Sequence, residues 1–246
     1  MASAALGVFF GGVIVGIPVV TGVGQGVSKQ QEQNAEAAKE TRMVKFHIDV
    51  FCEANSPARK QVHGTIITVH DDKVWLSPKD PSTKLPVAGS GHPFTGFYIG
   101  YPDEERNPPE RGLVSTISVD PPVLNWIYAD KETFELKYGN RTASIKHIVG
   151  PWDWTEDEAG VMLEGWEGFV AVEEEVGQWA LYFDKNDNML NSGKMVAGKK
   201  VLQVSLERRV FSEEQQKAEN EEAQRKLQVK SSGGLQLKDE TTKTRS

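Results

Sequence analysis

Hydrophobic and polar positions divide the chain into stretches of different period. From Ala4 to Val23 every side chain except Thr21 is apolar or glycine. At about 1.5 Å of rise per residue, a helix of this length crosses the roughly 30 Å hydrocarbon layer of a bilayer. The pattern therefore predicts an apolar helix inside a Gly-rich head, residues 1–28, acting as a membrane anchor. Three other readings stay open: a cleaved signal peptide, a buried pair of β-branched strands, or a flexible Gly-rich tail. The signal-peptide reading lacks a basic n-region. Residues 29–42 are polar with almost no apolar face, which predicts a short helical connector starting after Ser28.

At Met43 the period changes to two. Val44, Phe46, Ile48, Val50 and Cys52 share one face, while Lys45, His47, Asp49 and Glu53 take the other. This is the signature of a half-buried strand. Further strands are predicted over 62–69, 73–77, 94–100, 113–118, 123–129, 133–138, 142–149, 168–174, 178–183 and 200–208. Asp71-Asp72, Gly139-Asn140 and Asp184 to Asn188 supply the turn chemistry between them. The fold class is mainly β: an antiparallel sandwich or barrel of about 10 strands over 43–210, with an N-terminal apolar helix. Residues 211–246 are polar again and predict a frayed helix from Ser212 followed by disorder.

Glycine and charge refine the ends. Gly7/Gly11 and Gly12/Gly16 fall four apart, placing small residues on one helix face where a second helix can approach closely in lipid. The expected partners of the head are thus membrane lipid, through residues 4–23, and a second copy of the same helix. Lys29, Lys39 and Arg42 follow the apolar run, so the positive-inside rule puts the β domain in the cytosol, single-pass near the N-terminus. The alternative localisation is secretion after signal cleavage. The sequon Asn140-Arg141-Thr142 stays unused in the cytosolic case.

Composition narrows the function classes. The chain has 246 residues, a formal charge of −7 and one cysteine. Net acidity argues against nucleic-acid binding, and one cysteine excludes a disulfide scaffold. Phosphate loops, nucleophile elbows and metal-ligand spacings are absent from the sequence, so no cofactor and no metal is expected. Asp184-Lys185-Asn186-Asp187-Asn188 lacks the glycine and the final glutamate of a calcium loop.

The most unusual composition lies between Pro151 and Phe183. These 33 residues hold nine acids, no Lys or Arg, and four of the six tryptophans. Indole faces attract cations and carboxylates pair with them. Trp152, Asp153, Trp154, Trp166 and Trp179, with His147, are therefore the candidate ligand-binding residues, and a small molecule or a basic protein is the expected partner. Core tryptophans with solvated carboxylates are the competing interpretation. Two functions follow: a membrane-tethered β domain that binds a partner, or a cofactor-free β-barrel enzyme acting on a hydrophobic metabolite. The enzyme would use His147 with Asp153, or Tyr98 and Tyr101, as acid and base.

Several runs also carry a resemblance. His92-Pro93-Phe94-Thr95-Gly96, Gly112 to Ser118, Pro121-Pro122, Asn125-Trp126-Ile127-Tyr128, Lys137 to Thr142 and His147 to Trp154 resemble a family of filamentous ascomycete fungal proteins with no assigned activity. The resemblance covers most of 43–210 and implies a fungal source. It transfers no activity, cofactor or site residue.

Overall fold

A computed structural model describes residues 41–106, 109–119, 122–190, 196–218 and 221. The described residues up to 210 belong to one compact unit, and those from 211 onward to a second. The expected membrane helix over 4–23, with Gly7, Gly11, Gly12 and Gly16, lies outside the described residues, as does the connector up to residue 40. Among the described residues no helix is long and apolar enough to cross a membrane. In the second unit the described part is a helical turn over 213–218. It opens on a reciprocal capping box: the Gln215 amide donates to Ser212 Oγ at 3.2 Å, and the Ser212 amide to Gln215 Oε1 at 2.9 Å.

The larger unit is antiparallel β structure. Its strands are β1 (Phe46–Phe51), β2 (Thr65–His70), β3 (Lys73–Ser77), β4 (His92–Pro93), β5 (Gly96–Gly100), β6 (Arg111–Val119) and β7 (Pro122–Ala129). They continue with β8 (Leu136–Gly139), β9 (Trp152–Trp154), β10 (Val161–Leu163), β11 (Phe169–Glu175), β12 (Gln178–Phe183) and β13 (Val201–Val210). Two single-turn helices, α1 (Arg59–Val62) and α2 (Arg141–Ser144), interrupt them.

Hydrogen bonding runs β12–β11–β13–β1–β5–β6–β7–β8–β3. It then returns from β3 to β12 through Trp179↔Leu76 and Ala180↔Trp75. The sheet thus closes into a nine-strand barrel, with β2 joined to both β3 and β1, and β4 added to β2. Of the sandwich and the barrel, it is the barrel. Three hairpins recur along it: β2–β3, β6–β7 and β11–β12. Among the described residues the first strand pairs along its whole length with the C-terminal part of the last, from Phe46↔Val210 to Phe51↔Ser205.

The period-two positions of β1 do what their pattern predicts. Phe46, Ile48, Val50 and Cys52 are buried in the main core with Leu202, Val204 and Leu206 of β13. Burying each large apolar side chain contributes roughly 1.5–3 kcal/mol. The β11–β12 hairpin is buried on both faces. Phe169, Ala171, Trp179, Leu181 and Phe183 enter the main core, while Val170, Val172, Ala180 and Tyr182 pack with Leu190 on the other side. That explains its nearly unbroken apolar sequence.

One predicted strand is corrected. Residues 142–149 are not a strand: α2 occupies their start, capped by Asn140, whose side chain accepts the Ala143 amide at 3.0 Å. Gly139-Asn140 therefore begins a helix rather than closing a hairpin. Only Ile148 reaches the sheet, bridging Ala129. Asp71 and Asp72 do turn β2 into β3, both with left-handed φ (49° and 59°).

Candidate functional site

The four tryptophans of 151–183 disperse. Trp152 and Trp179 are each 1 % exposed. Trp152 stacks on Phe169 with ring centroids 6.1 Å apart, and Trp179 Nε1 donates to Gln61 Oε1 at 3.0 Å. Trp166 packs at 6.1 Å from Phe183 and fills the space beside Gly168, where a Cβ would come within 2.2 Å of its ring. Trp154 alone faces charged groups. His147 lies elsewhere, stacked on Tyr128 at 5.1 Å and accepting the Lys131 amide on Nδ1 at 3.2 Å.

The acids of the same stretch are met by bases from other segments. Glu164 pairs with Lys185 at 2.8 Å, Glu173 with Lys200 at 2.7 Å and Glu174 with Lys199 at 2.5 Å. Asp153 is held by two arginines, Arg42 at 2.6 Å and Arg111, and also accepts the Trp154 amide at 2.8 Å. Burial would raise the Asp153 carboxyl, but these hydrogen bonds outweigh it and hold the group below the usual carboxylate range. This patch carries more positive than negative charge, the reverse of what the local sequence suggests.

The barrel interior is filled by Phe46, Phe94, Tyr98, Phe169 and Phe183. Tyr98 is buried with its hydroxyl donating to the Asp153 carbonyl at 3.2 Å, and the Tyr101 hydroxyl bonds Ser144 Oγ at 2.8 Å. Both phenols named as acid–base candidates are thus packed and hydrogen-bonded within the fold. Enzyme chemistry in an internal cavity gets no support from this interior. Among the described residues no group of His, Cys, Asp and Glu is placed to hold a metal ion.

A surface cleft of about 510 Å³ lies instead between the Asp71-Asp72 turn and α2. Its walls include Asp72, Asn125, Tyr128, Tyr138 and Asn140. The turn is tied to β8, just ahead of α2, since the Tyr138 amide donates to the Asp72 carbonyl at 3.2 Å. Gly139 lets α2 lie close: a Cβ there would stand 2.9 Å from Ala143 Cβ and 3.5 Å from Tyr128 Cε1. Burial raises the pKa of both tyrosines above that of a free phenol, so at neutral pH they present hydroxyls that donate as well as accept.

Lys73 and Lys137 form the charged side of the cleft, and both are neutralised from behind. Lys73 Nζ reaches Glu135 at 2.7 Å and Glu174 at 3.7 Å; Lys137 reaches Glu135 at 3.1 Å and Asp130 at 3.3 Å. Tyr182 completes this network by hydrogen bonding Glu135 at 2.9 Å and also Glu174. The network sits where β3, β8 and β12 meet, at Lys73↔Lys137 and Glu135↔Tyr182. None of the cleft residues was a candidate from sequence. They come from segments 71–73, 125–128 and 137–143, and no spacing in the chain connects them.

The architecture is a closed antiparallel barrel built on three hairpins, with a filled interior and a cleft on its surface. The family comparison agrees. The chain belongs to the fungal beta-trefoil domain family, whose model matches residues 22–212. No curated protein and no solved structure matches the chain.

Proposed function

We propose that the chain is a binding module whose cleft between the Asp71-Asp72 turn and α2 takes a neutral, polyhydroxylated ligand, such as a short oligosaccharide. The observation that carries this reading is the charge state of the cleft. Its two lysines are already matched by Glu135, Glu174 and Asp130, and Asp71 faces His70 at 2.9 Å. What remains for a ligand is the Asp72 carboxylate, the Asn125 amide, the Asn140 side-chain NH2 and two phenols. That set offers donors and acceptors beside aromatic surface, which suits hydroxyl groups on a ring with an apolar face. Titration of the full-length chain with neutral oligosaccharides tests it. Saturable binding weakened at least tenfold by both Asn125→Ala and Tyr138→Ala is expected. Absence of binding at millimolar sugar, or binding indifferent to both substitutions, would refute it.

The apolar head completes the proposal as a tether that holds this module at a membrane, with the Gly-spaced face pairing two copies. Its support is the uncharged run 4–23. Carbonate extraction of the full-length protein tests the tether: retention in the pellet supports it, and release into the supernatant overturns it.

A further inference from the structure

A second feature of the barrel remains unused by that reading. Three guanidinium groups from three different elements gather around one carboxylate: Arg42 ahead of β1, Arg111 at the start of β6 and Arg208 on β13. Arg42 and Arg111 share Asp153. Arg42 and Arg208 share Trp154, their Cζ atoms lying 4.0 Å and 4.1 Å from its ring centroid. Arg208 also lies over Phe46 at 4.9 Å and Tyr98 at 5.8 Å.

The hydrogen bonding of this group is incomplete. Arg208 Nη1 donates to the Glu158 carbonyl at 2.7 Å, a neutral acceptor, and its buried Nε has no partner. Arg111 Nη1 takes the Trp152 carbonyl at 3.2 Å along with Asp153. Three positive charges face two negative ones, Asp153 and the Glu158 carboxylate near Arg208, leaving an excess of one. Half-buried guanidinium groups so close together repel, and burial with the charge of Arg42 makes the Arg208 cation harder to hold. The Arg42, Arg111 and Asp153 side chains are still 21 %, 33 % and 32 % exposed, so the cluster is open to solvent. Guanidinium forks match tetrahedral oxyanions through paired N–H···O bonds, and a phosphate would supply the negative charge and the acceptors that the cluster lacks.

We propose that Arg42, Arg111 and Arg208 form a recognition site for a phosphate dianion, distinct from the cleft beside α2 and independent of it. The dianion is either free phosphate or the phosphoryl group of a small phosphomonoester. Trp154 is in contact with two of the arginines, so its emission reports occupancy.

Full-length protein is titrated with inorganic phosphate and, separately, with phenyl phosphate, at constant ionic strength set with chloride. Saturable fluorescence change with either probe is expected, weakened at least tenfold by Arg111→Leu and by Arg208→Leu, and partly restored by Arg111→Lys. Binding of both probes with similar affinity identifies free phosphate as sufficient. Binding of phenyl phosphate alone assigns the site to a monoester. Thermal stabilisation of the unmodified chain by each probe gives a second reading should a variant fold poorly. Absence of saturation and of stabilisation with both probes, or equal binding by well-folded Arg111→Leu and Arg208→Leu variants, would overturn the proposal. Loss of oligosaccharide binding at the cleft would leave this result untouched.

Discussion

Replacing Glu135 by Gln keeps the shape of the side chain and removes the one charge that two lysines and a tyrosine address together. The Glu135 side chain is 10 % exposed, while Lys73 and Lys137 are 27 % and 25 % exposed. Breaking a buried ion pair from one side costs about 3–5 kcal/mol. Water reaches the lysines here and screens part of the loss, which brings the expectation to about 2–3 kcal/mol at neutral pH. For a domain of this size each kcal/mol moves Tm by about 2–4 °C, so a fall of about 4–12 °C is expected in a fluorescence melt. The pH dependence gives a sharper test. Burial alone would raise the Glu135 carboxyl, but hydrogen bonds from Lys73, Lys137 and Tyr182 prevail and hold it below its usual value. A carboxyl depressed in the folded state stabilises fully above its unfolded pKa of about 4.3 and loses that contribution as pH falls through the folded value. The gap between wild type and Glu135→Gln is therefore wide at pH 7, steady down to the mid-fours, and closing below. A Tm within 1 °C of wild type at pH 7, or a gap equally wide at pH 3, would refute the reasoning.

Two further outcomes follow from packing. Gly96 sits where β5 meets β1 and β6, and a Cβ there would stand 2.3 Å from the Val114 carbonyl oxygen and from Phe94 Cζ. Gly96→Ala should cost about 3 kcal/mol or more, seen as a shifted urea midpoint; a midpoint unchanged from wild type contradicts it. Cys52 is 0 % exposed on the core face of its strand, so the native protein should resist a thiol reagent until denaturant is added. Rapid labelling without denaturant would show that the β1 end opens.

Period-two burial was legible where a strand has one wet and one dry face, as along β13; on β1 the apolar face was legible, but His47 of the opposite face is buried as well. The β11–β12 hairpin was legible for the opposite reason, since burial on both faces leaves an apolar run bounded by Val176-Gly177. The choice between sandwich and barrel was not, because it depends on the β3–β12 pairing, which joins residues about a hundred apart in the chain. Around Asn140 the local signal was ambiguous in itself: a short polar side chain that bonds a backbone amide two or three residues on serves a turn and a helix cap alike. The tryptophan-rich stretch misled in another way. Sequence proximity placed nine carboxylates beside four indoles, yet the sheet register sends two indoles inward and brings lysines and arginines from distant strands onto four of the acids. The cleft had no sequence signature, being assembled from a turn, a strand and a strand-to-helix junction far apart in the chain.

The pairing of β1 with β13 also sets a condition on how the domain is made. Phe46 has no complete partner until Val210 exists, and β11 likewise waits for Val201 to Val204 on its free edge. During synthesis the ribosome must therefore release almost the whole domain before the ring can shut. Until then β1 offers an unpaired apolar edge for as long as some 160 residues take to emerge, about 8–30 s at ordinary elongation rates. Such long-range closure is slow to nucleate, so the nascent chain is exposed to misassembly and to chaperones over that interval.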